Sequence, residues 1–349
     1  MNTPPIQTAL CSFGMSGKVF HAPFVHSNKE YNLYGVWERS KKTVQDFYPG
    51  VKSFDTLEEM LADDNIELVI INTPNATHYD YAKKALLAGK HIIVEKPFVI
   101  HSEEGEELIA LAKQQQKKIS VYQNRRYDSD AKLLKKVVTE NLLGDIGEAE
   151  LHYDRFRKEL SPKIHKEIPG PGNGILYDLG AHLIDEALQL FGKPEAVFAD
   201  NIIMRPISKV DDYFEILLYY PRKRVRLKAS NQVREATPAF VLHGSEGSLI
   251  KSRADVQEND LIAGKMPGSD NWGIEPEGEK GLLHIEKDNQ DSKEFIAAPR
   301  GNYMEYFDQM YKAIRFGEPV PVTAEEGLEV IKVIEAALKS NKERRVVDY

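Results

Sequence analysis

The chain has 349 residues, with 54 acidic against 46 basic side chains and a formal charge of −8 at pH 7. That balance argues against a nucleic-acid or anionic-membrane partner, since both require a basic footprint. One cysteine, Cys11, excludes an intrachain disulfide and fits a reducing compartment. No apolar run reaches bilayer-spanning length, and the first basic side chain is Lys18, so no secretory signal is expected. A cytoplasmic protein with two domains is expected, because the length exceeds what one core usually serves.

Thr8 to Phe13 reads as a buried strand, followed by Gly14-Met15-Ser16-Gly17 and a helix. The pattern Ser12-x-Gly14-x-x-Gly17 is one glycine short of the dinucleotide fingerprint. Gly14 lets backbone approach a pyrophosphate, and Gly17 lets helix and strand pack closely. A strand–helix turn that merely needs glycine is the plainer alternative. Tyr31 to Trp37 is a second strand, ending at Glu38-Arg39-Ser40. An acid there reads a ribose 2′-hydroxyl, and an arginine accommodates a 2′-phosphate. With Lys41 and Lys42 following, the lean is to NADP over NAD, although Ser40 also suits a helix N-cap.

Thr56 and Glu59 have the capping-box spacing. Leu68 to Ile71 is a buried strand running into Thr73-Pro74-Asn75 and His78, and a helix to Ala88 stops at Gly89. The strand His91 to Val94 then delivers Glu95-Lys96-Pro97 to its carboxyl end, where open α/β sheets hold ligands. Ser102 opens a helix, and Ile119 to Tyr122 is a further strand. This alternation predicts a doubly wound parallel sheet, the Rossmann architecture, over residues 1–124.

Beyond Tyr122 a charged connector runs from Gln123 to Asp130. Residues 125–349 read as an α+β domain with a large, open, mainly antiparallel sheet. Its strands are expected at Glu148–Phe156, Ala196–Met204, Tyr213–Tyr220, Arg224–Ala229 and Phe240–His243. Residues 264–281 read as a long loop, and late helices at Tyr303–Phe316 and Thr323–Ser340 close the chain. Arg222, Arg224, Arg226 and Lys228 share one strand face; a solvated or subunit-facing surface is favoured there over a phosphate site.

At helical spacing Asp178, His182 and Asp185 return to one stripe, opposite an apolar face. Such a stripe is usually just solvated. Its functional reading is an imidazole held by a carboxylate and available as a base near neutrality. No metal is expected, since neither a second histidine nor a cysteine joins the cluster. Arg125, Arg126, Asp128 and Asp130 suit either a polyol, through charge-assisted hydrogen bonds, or an interdomain salt-bridge cluster.

These motifs together resemble the Gfo/Idh/MocA oxidoreductases: the run Gly17-Lys18-Val19-Phe20-His21-Ala22-Pro23, Thr73-Pro74-Asn75 with His78, Glu95-Lys96-Pro97, and Asp178 to His182 to Asp185. Ser120 to Asp130, Leu176 to His182 and Asp270-Asn271-Trp272-Gly273 look like the scyllo-inositol dehydrogenase branch. The resemblance implies an NAD(P)-dependent dehydrogenase acting on a cyclic polyol or sugar, and a homodimer or higher oligomer built through the second sheet. By resemblance, Lys96 holds the reacting oxygen, His182 takes the proton and Asp178 orients both. The cofactor set becomes Ser12, Gly14, Met15, Ser16, Gly17, Glu38, Arg39, Ser40, Thr73, Pro74, Asn75, His78, Glu95 and Lys96. Asn124, Arg125, Tyr127 and Asp128, with Asp178 and His182, become the substrate set. Two rivals remain: an enzyme that uses NAD transiently to cleave or epimerise a glycoside, and a non-catalytic sugar or cofactor sensor. Retention of both Lys96 and His182 speaks against the sensor.

Overall fold

The structure, a computed structural model, describes residues 4–39, 41–163, 166–287 and 290–349. The chain forms two compact units. The first comprises Met1–Asn124, Gln257–Trp272 and Asn302–Leu328; the second comprises Arg125–Val256, Gly273–Gly301 and Glu329–Tyr349.

The first unit is built on β1 (Ile6–Leu10), β2 (Tyr31–Trp37), β3 (Lys52–Phe54), β4 (Leu68–Ile71), β5 (His91–Glu95) and β6 (Ile119–Tyr122). Every pair is parallel, and the order is β3-β2-β1-β4-β5-β6. The strand order reverses between β1 and β4, which is where such sheets bind dinucleotides. The central strands form because they are apolar on both faces: Leu68 to Ile71 and Ile92 to Val94 are wholly buried. Thr56 caps the helix Leu57–Leu61 by accepting the Glu59 amide at 3.0 Å, as the capping-box spacing predicts.

Late chain segments complete this unit. The Val322 carbonyl accepts from the Val121 amide (3.2 Å) and the Ser120 hydroxyl (2.8 Å) at the outer edge of β6. Phe307 stacks on Phe24 with centroids 5.4 Å apart, and Tyr31 donates to the Phe307 carbonyl at 2.7 Å. Trp272 donates to Gln257 Oε1 at 3.2 Å, and the same oxygen takes the Tyr303 amide at 2.8 Å.

The second unit carries β7 (Ile146–His152), β8 (Ala196–Ile202), β9 (Tyr213–Tyr220), β10 (Lys223–Ser230), β11 (Phe240–Gly244), β12 (Gly247–Lys251), β13 (Gly281–Lys287), β14 (Gln290–Ile296) and β15 (Val347–Asp348). Among the described residues these nine make one sheet, in the order β14-β13-β12-β11-β7-β10-β9-β8-β15. It is antiparallel except where β10 pairs with β7. β7 begins and ends earlier than expected, leaving Phe156 in an isolated bridge to Gln232. β12 to β14 were not anticipated. β14 is an edge strand with both faces largely exposed, so it lacks the alternation that marks a half-buried strand. On β10, Arg226 is ion-paired with Glu150 and Glu215 from both neighbouring strands, so this part of the cationic row is neutralised.

A buried ion cluster ties this unit together. Lys251, wholly buried, reaches Asp130 Oδ1 (3.1 Å), Glu275 Oε2 (2.8 Å) and the Glu279 carbonyl (2.6 Å). Asp130 Oδ2 accepts the amides of Ala254 and Asp255, and Glu275 Oε1 accepts that of Ala298. Removing one partner strands the others as uncompensated buried charge. Lys251→Met is therefore expected to cost about 3–5 kcal/mol, read as a lowered urea midpoint. A shift worth under about 1 kcal/mol, within the range of an ordinary surface change, would count against the cluster's role.

Candidate functional site

In the first unit the turn after β1 lies at the switch point. The Ser12 hydroxyl accepts the Gly14 amide at 3.1 Å, so the residue that departs from the glycine fingerprint closes the turn with its side chain. Asn72, just past β4, donates to the Ser12 carbonyl at 2.8 Å. A Cβ at Gly17 would stand 2.3 Å from that carbonyl and 3.0 Å from Asn72 Nδ2. Only glycine permits this approach, which is the helix–strand packing role in the fingerprint. Gly14 and Met15 remain exposed at the rim. An exposed turn with a glycine-only approach behind it fits a dinucleotide pyrophosphate.

The following helix is not plain α. Residues Gly17–His21 form a π turn that leads into the α-helix Ala22–Ser27. The turn brings His21, fully buried, to Glu95 at the end of β5, where Nε2 donates to Oε1 at 2.8 Å. The Ser16 hydroxyl donates to the same oxygen. Burial alone would push the Glu95 carboxyl up; the His21 and Ser16 hydrogen bonds and the Lys96 charge override it and hold the group at about 2. Glu95 is thus an internal anchor that fixes the backbone from which half-buried Lys96 projects. The Lys96–Pro97 peptide is cis.

His78 ties two further motif segments to each other. Its Nδ1 meets the Pro97 carbonyl at 2.8 Å and its Nε2 the Thr73 carbonyl at 2.9 Å. The loop Thr73-Pro74-Asn75 is thereby clamped to the segment that follows Lys96. Burial lowers the pKa of this imidazole, while the two carbonyls and Glu95 favour its charged form and offset part of that.

Glu38 is buried and points inward. Its Oε1 accepts the amides of Thr43 (2.7 Å) and Val44 (3.1 Å), and its Oε2 accepts the Ser53 hydroxyl (2.8 Å). These bonds occupy the carboxylate expected to read a ribose. Arg39 is exposed and makes no ion pair among the described residues. Ser40 lies outside the described residues.

In the second unit Asp178 belongs to a π turn, Leu176–Gly180, and His182 to the α-helix Ala181–Phe191 that continues it. The stripe expected from plain α spacing is therefore rewound at its first member. It is not a solvated face either: His182 is 5% and Asp185 3% exposed. Arg126 holds Asp185 with a two-point bond (2.6 and 2.8 Å). Asp178 takes the ammonium of Lys166 at 2.7 Å. Lys166 escaped the sequence reading because it lies in an irregular loop at no helical or strand spacing. Arg125 pairs with fully buried Asp128 at 3.5 Å and lies over the Tyr153 ring, as do Arg155 and Arg253. Tyr127 is also buried, and Asn124 is buried in the first unit. Among the described residues no group of three His, Cys, Asp or Glu side chains is placed to hold a metal, and no helix is long and apolar enough to cross a membrane.

Residues 6–123 match the family model described as an oxidoreductase family with an NAD-binding Rossmann fold, and residues 135–349 match its C-terminal alpha/beta domain. A scyllo-inositol 2-dehydrogenase (NADP(+)) of Bacillus subtilis strain 168 is 37% identical over 342 residues, covering 98% of this chain and 95% of the relative. A solved structure from Bacteroides fragilis NCTC 9343, described as an oxidoreductase, superposes with a TM-score of 0.90 at 44% identity, over 99% of this chain and all of that one. Another, from Bacillus subtilis, superposes at 0.95 with 36% identity and complete coverage of both chains. The chain belongs to the Gfo/Idh/MocA oxidoreductase family, with an NAD(P)-binding Rossmann fold in its first part.

Proposed function

We propose that this protein is an NADP-dependent dehydrogenase acting on a secondary alcohol of a cyclic polyol, inositol-like in shape. The observation that carries the reading is identity of 37% along nearly the full length of both chains with a scyllo-inositol 2-dehydrogenase (NADP(+)). Glu38 and Arg39 support the choice of cofactor. The acid is engaged by backbone amides and a hydroxyl, while the arginine is exposed where a 2′-phosphate is accommodated.

Bound nicotinamide supplies the hydride acceptor or donor, chemistry no side chain offers. The turn Ser12, Gly14, Met15, Ser16 and Gly17 would hold the pyrophosphate, Arg39 would meet the 2′-phosphate, and Thr73, Pro74 and Asn75, on the loop clamped by His78, would line the cofactor. Glu95 acts from behind, keeping Lys96 in place. The Lys96 ammonium donates to the alcohol oxygen, which stabilises negative charge as the proton departs. His182 accepts that proton. Asp178, oriented by Lys166, holds a neighbouring hydroxyl, and Asn124, Arg125, Tyr127 and Asp128 complete the polyol contacts. The outward side chains of the second sheet, including exposed Phe198 opposite Leu217, suit a homodimer interface. The single buried cysteine suits the cytoplasm.

The direct test follows absorbance at 340 nm with NADP and with NAD against a panel of inositols and aldoses. Absence of any polyol turnover would sink the reading, and copurifying cofactor with no accumulation of its reduced form would favour glycoside chemistry. Lys96→Ala is expected to lower kcat by about 10²–10⁴-fold while the cofactor Kd stays within about threefold; near-normal turnover would remove Lys96 from the mechanism. Arg39→Ala is expected to weaken NADP by about 10–100-fold, the value of a charge-assisted hydrogen bond, and to leave NAD unchanged. Equal losses for both cofactors would refute the preference.

A further inference from the structure

We infer that Asp211 is a positioning residue: from a neighbouring loop it caps the π turn that bears Asp178 and leads into the helix of His182. The inference rests on the roles proposed above for those two residues and adds to them what holds their helix in place.

A helix start leaves backbone N–H groups without intrahelical partners. Here the residue at the N-cap position, Ile175, has no side-chain acceptor. Asp211 supplies the acceptors instead. Its backbone carbonyl takes the Ile175 amide at 2.9 Å, and its Oδ2 takes the Leu176 amide at 2.9 Å. Gly174 makes room for it. That residue sits at φ +92°, in the left-handed region, and a Cβ there would stand 1.9 Å from Asp211 Oδ1. The Asn201 amide nitrogen, in the orientation that satisfies its neighbours, donates to Asp211 Oδ2 (3.2 Å) and the Tyr213 carbonyl (3.0 Å). The carboxylate is thus held from the strand side as well.

The adjacent acid has a different task. Asp212 is buried, ion-paired with Arg205 at 2.7 Å, and accepts the amides of Met204 and Arg205. Among the described residues no cation is paired with Asp211, and the charged group that acts on it is Asp212, on its own loop. The Gly174–Leu176 turn presents amides, and β8 presents the Asn201 side chain. Burial, with a smaller push from Asp212, raises the Asp211 carboxyl to about 6, and the amides it accepts offset only part of this. The folded protein therefore holds a proton here between about pH 4 and 6 that the unfolded chain has released. Stability from this group is fully present at and below about pH 4 and is lost as pH rises through 6. The cap needs only an acceptor at this position, which asparagine would supply to the same amide without a charge.

Two variants and two measurements separate the outcomes. Hydrogen exchange of the peptide covering residues 174–183 reads the cap without any substrate. Asp211→Ala is expected to speed exchange there about tenfold or more, with first-unit peptides unchanged, and Asp211→Asn to restore most of the protection. With scyllo-inositol and NADP at 340 nm, Asp211→Ala is expected to lower kcat/KM about tenfold with the NADP Kd unchanged. Asp211→Asn, which keeps the acceptor, is expected to restore kcat/KM to within about threefold of wild type. Unchanged exchange in Asp211→Ala, or failure of Asp211→Asn to restore both exchange protection and kcat/KM, would overturn the inference. Full activity in Lys96→Ala and His182→Ala would instead overturn the functional reading, and the exchange result would still decide whether Asp211 is the cap.

Discussion

A single buried carboxylate organises the first unit. Glu95 ends β5, the strand whose carboxyl end faces the ligand side of the sheet, and burying its charge is tolerable only because His21 and Ser16 meet it there. Both partners come from the first helical segment, which opens with the glycine turn. The same contact that neutralises Glu95 therefore fixes where the turn stands relative to Lys96. His78 extends the arrangement sideways, bonding to the Thr73 and Pro97 carbonyls just past the carboxyl ends of β4 and β5. The glycine turn, Lys96 and the Thr73–Asn75 loop are thus set by side-chain bonds between strand ends rather than by separate local preferences.

Each unit departs from regular α-helix beside its candidate chemistry. Gly17–His21 and Leu176–Gly180 are both wound as π turns, a form that recurs at functional sites because the extra residue re-aims the side chains after it. In both, glycine allows a close approach. Gly17 abuts the Ser12 carbonyl, and at Gly180 a Cβ would lie 2.9 Å from Leu176 Cδ1 and 3.4 Å from Phe214. The widened turn needs room, and a residue without a side chain leaves it.

Much of the architecture was legible from the chain because Leu68 to Ile71 in β4 and Ile92 to Val94 in β5 are unbroken apolar runs that alternate with helical segments. The motif residues stood out by their place at the ends of those strands. Long-range polar pairing was not legible. Glu38 looked like a ribose reader, and nothing in its spacing announces bonds to Thr43, Val44 and Ser53. Asp178 looked like a one-turn partner for His182, but the inserted π residue and Lys166 change its surroundings. The hairpin of β13 and β14 lacked an alternating signal because its outer strand has no dry face.

The dispersed make-up of the first unit bears on how the chain is synthesised. β6 is the outer strand of its sheet, and its exposed backbone edge is met by Val322, 202 residues downstream of Ser120. At about 5–20 residues per second, a ribosome takes roughly 10–40 s to cover that distance. Through that interval the emerging sheet presents an unpaired strand edge and, at Phe24 and Tyr31, aromatic rings whose partner Phe307 has yet to be made. Until those contacts form, the edge and the rings stay open to pairing with another chain, and pausing before residue 302 would lengthen that interval.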